Sequence, residues 1–272
     1  MIEGARDAIA SELLDAFEHG TAISPIGARY EGFDVEAAYE VLREIDRRRV
    51  ARGWRPVGRK IGFTNRTIWP RYGVCRPMWA HVWRETVQHA PDGRASFSLA
   101  RTAEPRIEPE VVFGISGPVA ATDDAAAVLR AVAWIAPGFE IVQSHFPGWK
   151  LTSPDCTAAF GLHRALVVGP RVTVADSDRD ALRERLPAFE LTLRRGGDTV
   201  DRGVGANVLD SPALALAHLA RVLAGQAVMP PLAAGEFVTT GTITDAWPVA
   251  AGETWSSDYG TLGIAGLTLE FL

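Results

Sequence analysis

Two glutamates inside an apolar segment constrain this chain more than any of its other features. Glu108 and Glu110 lie in the segment Glu104–Ile115, which reads EPRIEPEVVFGI. In an extended chain alternate side chains point to the same face, so both carboxylates face one way. Like charges side by side repel each other unless a cation lies between them or water screens them. The run Val111–Ile115 is typical of a buried strand and disfavours screening. The segment therefore predicts a metal site, with a solvated strand end as the alternative.

A third glutamate strengthens the metal interpretation. Glu140 lies in the run Gly138–Val142, which reads GFEIV and is typical of a buried strand. A buried glutamate is rare unless it is paired or coordinated, and an arginine or lysine is the alternative partner. With Glu108 and Glu110 it offers oxygen ligands only, which suits Mg²⁺ or Mn²⁺ better than Zn²⁺.

Lys60 is the candidate acid or base. It stands between two glycines in Gly58–Gly62, where backbone and ligand can approach closely. A partly buried lysine can transfer protons, although a surface lysine on a short strand fits the same pattern. The run Thr239–Asp245, TTGTITD, has hydroxyls and a glycine that can hold a carboxylate, a pattern also common at strand ends without a ligand.

Composition limits the class of protein. The 272 residues are 47% hydrophobic and 22% charged, as in an ordinary globular protein, and the net charge of −5 argues against nucleic-acid binding. Two cysteines are too few for a disulfide framework, which favours a cytoplasmic location. The charged first 19 residues do not resemble a signal peptide, and without an apolar run of about 18 residues we expect no membrane span.

Hydrophobic periodicity predicts an α+β protein. We expect helices at 3–19, 35–52, 122–134 and 211–224, and a hairpin at the glycine pair 196–197. Strands are predicted at 85–89, 95–98, 107–115, 138–143, 164–168, 188–194, 199–202, 236–240, 247–250 and 266–271. The chain then divides into a helical N-terminal region at 1–84, which carries Lys60 and a lid at 73–84, and a β-rich catalytic domain at 85–272. An apolar loop packed into the core is the alternative for the lid.

Several segments, in order along nearly the whole chain, resemble one enzyme family. They are RKIGFT at 59–64, PRIEPE at 105–110, FEIV at 139–142, the stretch 155–169, GVGANVL at 203–209 and GEFVTTGT at 235–242. They are similar to the 2-hydroxypenta-2,4-dienoate (2-keto-4-pentenoate) hydratases and the 4-oxalocrotonate decarboxylases of the fumarylacetoacetate hydrolase superfamily. The resemblance implies a mixed, strongly bent β-roll with a small helical N-terminal region.

The resemblance also implies a site. Mg²⁺ or Mn²⁺ would be held by the three glutamates, Glu108, Glu110 and Glu140. Lys60 would transfer protons beside a 2-oxo acid that Thr242 helps to hold. Lys150 and Asp155 would lie close by.

The lid departs from the family pattern, because Met78 stands where many members have an aspartate. Glu85, His81 or water would then replace that acid. The far end of the pocket decides between reactions: a cation such as Arg71, Arg76 or His81 would bind a distal carboxylate and favour a decarboxylase. An apolar end built around Met78, Trp79 and Trp83 favours a hydratase. Trp79 and His81 are therefore predicted substrate-binding residues.

The expected function is metal-dependent addition of water to a 2-hydroxy-2,4-dienoate, which gives a 4-hydroxy-2-oxo acid. One alternative is decarboxylation of a 2-oxo-hexenedioate. Another is C–C hydrolysis of an acylpyruvate, for which the chain offers His19 with Glu12 or Glu18. A third, outside catalysis, is an inactive paralogue that acts as a scaffold. We expect a homo-oligomer that can associate with a related pathway enzyme.

Overall fold

The computed structural model describes residues 3–72, 74, 76–226 and 229–272. Its helices are α1 Glu3–His19, α2 Val35–Ala51, α3 Trp69–Tyr72, α4 Ala125–Leu129, α5 Ser153–Ala158, α6 Arg179–Ala188 and α7 Pro212–Gly225. Its strands are β1 Pro56–Gly62, β2 Met78–Trp83, β3 Val87–His89, β4 Arg94–Phe97, β5 Arg106–Ile115, β6 Val132–Val142, β7 His163–Val168, β8 Val172–Thr173, β9 Glu190–Arg195, β10 Asp198–Val204, β11 Phe237–Thr239, β12 Trp247–Pro248, β13 Thr254–Asp258 and β14 Thr268–Phe271.

A nine-stranded mixed sheet forms the centre of the fold. Its order is β2-β1-β11-β5-β6-β7-β3, with β12 added to β5 and β8 added to β6. The β1–β11 and β3–β7 pairs are parallel, whereas the long β5–β6 pair is antiparallel. Five further strands form a second sheet in the order β10-β9-β13-β14-β4. The predicted α+β fold with a mixed, bent β-roll is confirmed.

The largest apolar core lies between the sheets and helices α4, α6 and α7. A second cluster joins α1 and α2 to the sheet through side chains such as Phe17, Ile45 and Phe160. The N-terminal helices therefore pack on the sheet through the apolar stripe that their sequences show. Strands from both sides of residue 84 share the main sheet, and the division into two regions at that residue stays a prediction.

Several predicted elements are present within a few residues of their expected bounds. Asp34 caps α2 by accepting a hydrogen bond from the amide of Ala37, and Ser211 caps α7 through Ala213. Gly196 and Gly197 turn the β9–β10 hairpin with positive φ angles of 58° and 97°, which glycine adopts without strain.

Two expectations about secondary structure are wrong. The helix predicted at 122–134 ends at Leu129, and β6 begins at Val132 because residues 132–142 pair along the whole of β5. Helix α6 was not expected, because the run 179–188 buries only Leu182 and Leu186 and contains Pro187. In both cases the sequence pattern of the segment is weak, and packing against neighbouring strands or the core determines its secondary structure.

The prediction of a lid at 73–84 is also wrong for most of that segment. Met78–Trp83 forms a strand whose six residues are all buried, so this part is neither a mobile cover nor a loop. It pairs antiparallel with β1 from Gly62↔Met78 to Pro56↔Trp83, which explains its aromatic composition. Gly73 and Cys75 of the predicted lid lie outside the described residues.

Helix α7, with the turn before it, is apolar enough over Gly205–Gly225 to meet the length and hydropathy criteria of a membrane span. It lies in the core, however, and 61% of that stretch is buried inside the protein. The core helix of a globular protein meets the same criteria, so this stretch alone is weak evidence for a membrane span.

Candidate active site

Three carboxylates meet on one face of the main sheet. Glu108 on β5 lies directly opposite Glu140 on β6, and Glu110 lies opposite Gly138. Since alternate residues of a strand share a face, all three side chains point the same way, as the spacing predicts. Each offers an oxygen within 4.8 Å of the others. Glu110 and Glu140 are fully buried and Glu108 is half-buried, so this group is not a solvated strand end.

Lys60 lies beside this cluster. Its Nζ atom is 3.0 Å from Oε2 of Glu140, and the residue is only 2% exposed. Burial lowers the pKa of Lys60, but the charges of Glu140, Glu108 and Glu110 outweigh it and the net shift is upward. Lys60 is therefore a buried ammonium, and the surface-lysine interpretation is wrong.

Glu140 has a second partner behind it. His163 Nδ1 lies 2.8 Å from Oε1 of Glu140, and His163 Nε2 lies 2.8 Å from the hydroxyl of Thr86. Burial raises the pKa of Glu140, but Lys60 and His163 outweigh it, and the net pKa is lowered. Burial lowers the pKa of His163. A neutral His163 that donates Nδ1–H to an ionised Glu140 can accept at Nε2, which fixes the ring orientation.

Glu110 is held by the segment after β11. Oε2 of Glu110 accepts hydrogen bonds from the Thr239 hydroxyl and from the Gly241 amide, the latter at 2.7 Å. Gly241 has a φ of +102°, and a Cβ atom there would lie 1.8 Å from Oγ1 of Thr64. Only glycine fits this turn, which explains why the Thr-rich run contains one.

Tyr259 holds the two strands together beneath the cluster. Its hydroxyl lies 2.7 Å from the carbonyl oxygen of Glu110 and 3.2 Å from that of Gly138, which are cross-strand partners. The residue is 1% exposed. Tyr259 thus ties the backbone of β5 and β6 at the level of the carboxylates.

The cluster fits a divalent cation. Three carboxylates, two of them fully buried, face the ammonium of Lys60 and, near Glu108, the guanidinium of Arg106, so negative charge is still in excess. Burial raises the pKa of Glu108 to about 7, and burial with the neighbouring carboxylates raises that of Glu110 well above its usual value. Oε1 of Glu110 is buried and has no hydrogen-bond partner among the described residues. A hard cation with oxygen ligands would satisfy that atom and balance the charge.

A narrow cavity of about 50 Å³ opens onto the cluster. Its polar wall includes Lys60, Glu108, Arg106 and the segment around Thr242, whose role in substrate binding stays a prediction. Its apolar wall is formed by Phe63, Ile68, Met78, Val142, Trp149, Leu162 and Ala246. Thr64 also lines it, with a buried hydroxyl that has no hydrogen-bond partner among the described residues.

Four predicted substrate-binding residues lie away from this cavity. Trp79 and His81 alternate with Met78 and Ala80 on β2, so their side chains point to the sheet face opposite Lys60. His81 Nδ1 lies 2.7 Å from Oδ2 of Asp46, and the indole of Trp79 donates to Gln226.

Lys150 and Asp155 have other surroundings. Lys150 is exposed and lines a separate surface depression with residues 22–25 and Pro147. Asp155 is fully buried, and its carboxylate accepts hydrogen bonds from the amides of Ile26, Gly27 and Thr152, and from the Thr152 hydroxyl. It ties α5 to the loop after α1, so the structure gives it a capping position rather than a place in the cavity.

The cations and acids expected near the lid are also elsewhere. Arg76 pairs with Glu36, and the side chain of Arg71 lies outside the described part of the chain. Glu85 accepts a hydrogen bond from the amide of Arg55. Both Glu85 and His19 line a different cavity. The structure therefore does not bring His19 to the carboxylates.

Several site residues were missed from the sequence. Thr64 and His163 lie in segments that were singled out for other reasons, whereas Thr239 and Gly241 belong to the run predicted to hold a carboxylate, which in the structure is that of Glu110. His163 carries a local signal, since it begins a strand, HRALVV, that is apolar after Arg164. Tyr259 carries none, because it reaches the site only through the pairing of distant strands.

Residues 70–269, well over half of the chain, match the fumarylacetoacetate (FAA) hydrolase C-terminal family. The chain belongs to this family. Within it, a 4-oxalocrotonate decarboxylase of Pseudomonas sp. strain CF600 is 30% identical over 237 residues, 86% of this chain and 84% of its own.

Another relative in the FAA hydrolase family is a 2-hydroxyhexa-2,4-dienoate hydratase of Comamonas testosteroni. It is 29% identical over 245 residues, which cover 89% of this chain and 88% of its own. The named relatives are thus hydratases and a decarboxylase, as the sequence resemblance predicts.

A solved structure of 4-oxalocrotonate decarboxylase from Pseudomonas putida G7, complexed with magnesium and adipate, superposes with a TM-score of 0.89. It covers 100% of this chain and 99% of its own, at 24% identity. At that identity the likeness shows the fold, which is that of the FAA hydrolase family. Neighbouring structures hold magnesium, calcium or manganese.

Proposed function

We propose that this protein is a divalent-cation-dependent hydratase of a 2-hydroxy-2,4-dienoate. The observation that carries the proposal is the convergence of Glu108, Glu110 and Glu140 on a buried Lys60. The named hydratases and the decarboxylase among its relatives support an enzyme rather than an inactive scaffold.

Glu108, Glu110 and Glu140 would hold the cation, with Mg²⁺ and Mn²⁺ as the candidates. When bound, it supplies positive charge that stabilises the enolate form of a 2-oxo acid. The protein keeps its ligands in place through His163, Thr239 and the Gly241 amide, so little reorganisation is needed.

Lys60 is proposed to carry the proton. It begins as an ammonium, because the carboxylates raise its pKa. In ketonisation the enol hydroxyl gives up a proton and a carbon of the diene gains one. Lys60 donates its proton to the carbon and then takes up the proton that the enol hydroxyl releases. The ammonium charge of Lys60 is therefore restored at the end of the step.

The substrate carboxylate is proposed to lie near Thr64 and Thr242, since both line the cavity and the Thr64 hydroxyl has no partner among the described residues. The apolar wall around Phe63, Ile68 and Leu162 fits a short hydrocarbon tail.

The test is product analysis with purified protein. Incubation of 2-hydroxypenta-2,4-dienoate with the protein and Mg²⁺ should yield a 4-hydroxy-2-oxo acid, observed by NMR together with loss of the diene absorbance. If neither Mg²⁺ nor Mn²⁺ supports conversion of this or any longer-tailed 2-hydroxydienoate, the hydratase proposal is wrong.

Decarboxylation is the second candidate, and one observation favours it. Arg106 lines the cavity, stacks on Trp149 with its Cζ atom 3.9 Å from the ring centroid, and forms no ion pair within the described residues. Such a guanidinium can bind the distal carboxylate of a 2-oxo-hexenedioate. Release of CO₂ from that diacid, abolished in Arg106→Gln, would favour this reaction. Hydration of the monoacid that persists in Arg106→Gln would favour the hydratase.

The proposal extends to the oligomeric state of the protein and to its location in the cell. We expect a homo-oligomer in the cytoplasm, able to associate with a related pathway enzyme. Light scattering after gel filtration tests the first point: a single species at the mass of one chain, 29.3 kDa, would contradict it.

A further inference from the structure

A second, larger cavity lies outside the proposed catalytic site. It has a volume of about 650 Å³ and lies between the end of α1, the turn before β3, and β7. It shares no lining residue with the catalytic cavity. Its apolar walls are formed by Phe17, Trp54, Val87, Phe97, Ala165 and Val167.

Two arginines in this cavity lack an acidic partner. Neither Arg101 nor Arg164 forms an ion pair within the described residues. Arg164 packs its guanidinium on the Phe17 ring, with Cζ 4.8 Å from the centroid, and its buried Nε has no hydrogen-bond partner there. Burial lowers the pKa of Arg164, and the nearby charge of Arg101 lowers it further. Two like charges therefore face one space, one of them partly desolvated.

The acidic residues of the cavity offset only part of this charge. Glu18 pairs with Arg52, and His19 pairs with Asp15 at 3.2 Å. Glu85 accepts a hydrogen bond from a backbone amide and keeps its own negative charge.

One positive charge remains when the two arginines are set against Glu85. A ligand with a single negative charge would balance it, and the apolar walls would contact a hydrocarbon body. A dianion would leave excess negative charge beside Glu85.

We propose that this cavity binds a monoanionic carboxylate with an aromatic or alkyl body, whose carboxylate lies between Arg101 and Arg164 and whose body packs against Phe17 and Trp54. A guanidinium matches the planar carboxylate and donates paired hydrogen bonds to it, which a single point charge cannot do. The proposal does not depend on the hydratase activity.

Calorimetric titration of benzoate into the full-length protein tests it. The protein is first stripped of divalent metal, so that a carboxylate cannot bind to a cation in the catalytic site. We expect saturable binding that weakens about tenfold or more in Arg101→Gln and in Arg164→Gln, the loss expected for a charged hydrogen bond. Arg101 is exposed, so its variant should keep the wild-type melting temperature even if Arg164→Gln is destabilised.

Two matched arginines serve as controls. Arg171 also stacks on an aromatic ring, Trp134 at 4.3 Å, but lies outside both cavities. Arg106 lines the catalytic cavity. Benzoate affinity should be unchanged in Arg171→Gln and in Arg106→Gln.

Three results would overturn the proposal. The first is no benzoate binding by the wild-type protein. The second is binding that Arg106→Gln removes and Arg101→Gln retains, which would place the anion in the catalytic cavity. The third is a change of oligomeric mass in Arg101→Gln, which would make the cavity an interface between copies of the chain.

Discussion

Lys60 and the three glutamates depend on one another for their charges. Lys60 keeps its proton because carboxylates surround it, and Glu140 keeps its negative charge because Lys60 and His163 stabilise it. Glu108 and Glu110 form no ion pair within the described residues, and the pKa of each is raised. A cation that joins this group would stabilise the ionised form of both.

Glu108→Gln should abolish metal-dependent turnover and leave the fold intact. An amide keeps the shape of the side chain but removes the charge that the cation needs. Circular dichroism, Mn²⁺ binding followed by electron paramagnetic resonance, and turnover of a 2-hydroxydienoate give the three readouts. Glu270→Gln, exposed on β14, is the control. Wild-type turnover in Glu108→Gln would remove this residue from the site.

Lys60→Ala should lower kcat by about 10²–10⁴-fold, the usual contribution of a general acid or base. Mn²⁺ affinity should not fall, because the change removes a positive charge beside the ligands. The chain's other lysine, Lys150, is exposed and does not line the cavity, so Lys150→Ala is a matched control and tests its predicted role as well. An unchanged kcat in Lys60→Ala would refute proton transfer by Lys60, and a large loss in Lys150→Ala would restore Lys150 to the site.

At the scale of elements, the β5–β6 pair sets the geometry of the site. Its register places Glu108 against Glu140, and a one-residue slip would move a carboxylate to the apolar face. Tyr259, at the end of β13, reinforces that register by donating to carbonyls of both strands.

Tyr259→Phe should cost about 1–3 kcal/mol of unfolding free energy, since two buried carbonyl oxygens lose their shared donor. Mn²⁺ affinity should fall as well, because the strands that carry the ligands are no longer tied together. Urea unfolding and Mn²⁺ titration measure the two effects. Tyr30→Phe, a half-buried position near the surface, is the control. If both quantities match the wild type, Tyr259 has no role in positioning the site.

The sequence predicts the parts of this site that are local. Each of three signals is visible within a few residues of sequence: the spacing of Glu108 and Glu110, the apolar run around Glu140, and the glycines near Lys60. The lid and its substrate contacts were mispredicted, because the aromatic residues of 78–83 also suit a buried strand, and only pairing with β1 decides between the two. Tyr259 and Arg106 could not be assigned roles, since their contacts arise from strands and turns that meet only in the folded chain.

At the scale of the whole molecule, the carboxylate cluster couples stability to pH and to metal. The pKa of Glu108 rises from 4.5 to about 7 on folding, so between these values the metal-free folded state binds more protons than the unfolded state. The contribution of Glu108 to stability is therefore lost as pH rises, whereas four histidines with lowered pKa values, His89, His145, His163 and His218, gain stability over the same range. We expect the melting temperature of metal-free wild-type protein to decrease from pH 5 to pH 8 relative to that of metal-free Glu108→Gln, and Mg²⁺ to raise the wild-type value more at pH 8 than at pH 6.

The same series with Glu108→Gln separates this effect from the rest of the protein. Glu108→Gln keeps the contribution of the histidines but lacks the titrating carboxylate, and Mg²⁺ should have little effect on it at either pH. A melting-temperature difference between metal-free wild type and metal-free Glu108→Gln that stays constant from pH 5 to pH 8 would show that Glu108 does not carry a raised pKa.

The most direct test of the central claim is a titration of metal-stripped protein with Mn²⁺, with bound metal and turnover of 2-hydroxypenta-2,4-dienoate followed in the same samples. The site described above predicts no turnover at the start and a rise in parallel with binding, complete at about one Mn²⁺ per chain. Full turnover by the stripped protein, or saturated Mn²⁺ binding that is retained in Glu108→Gln, would contradict it.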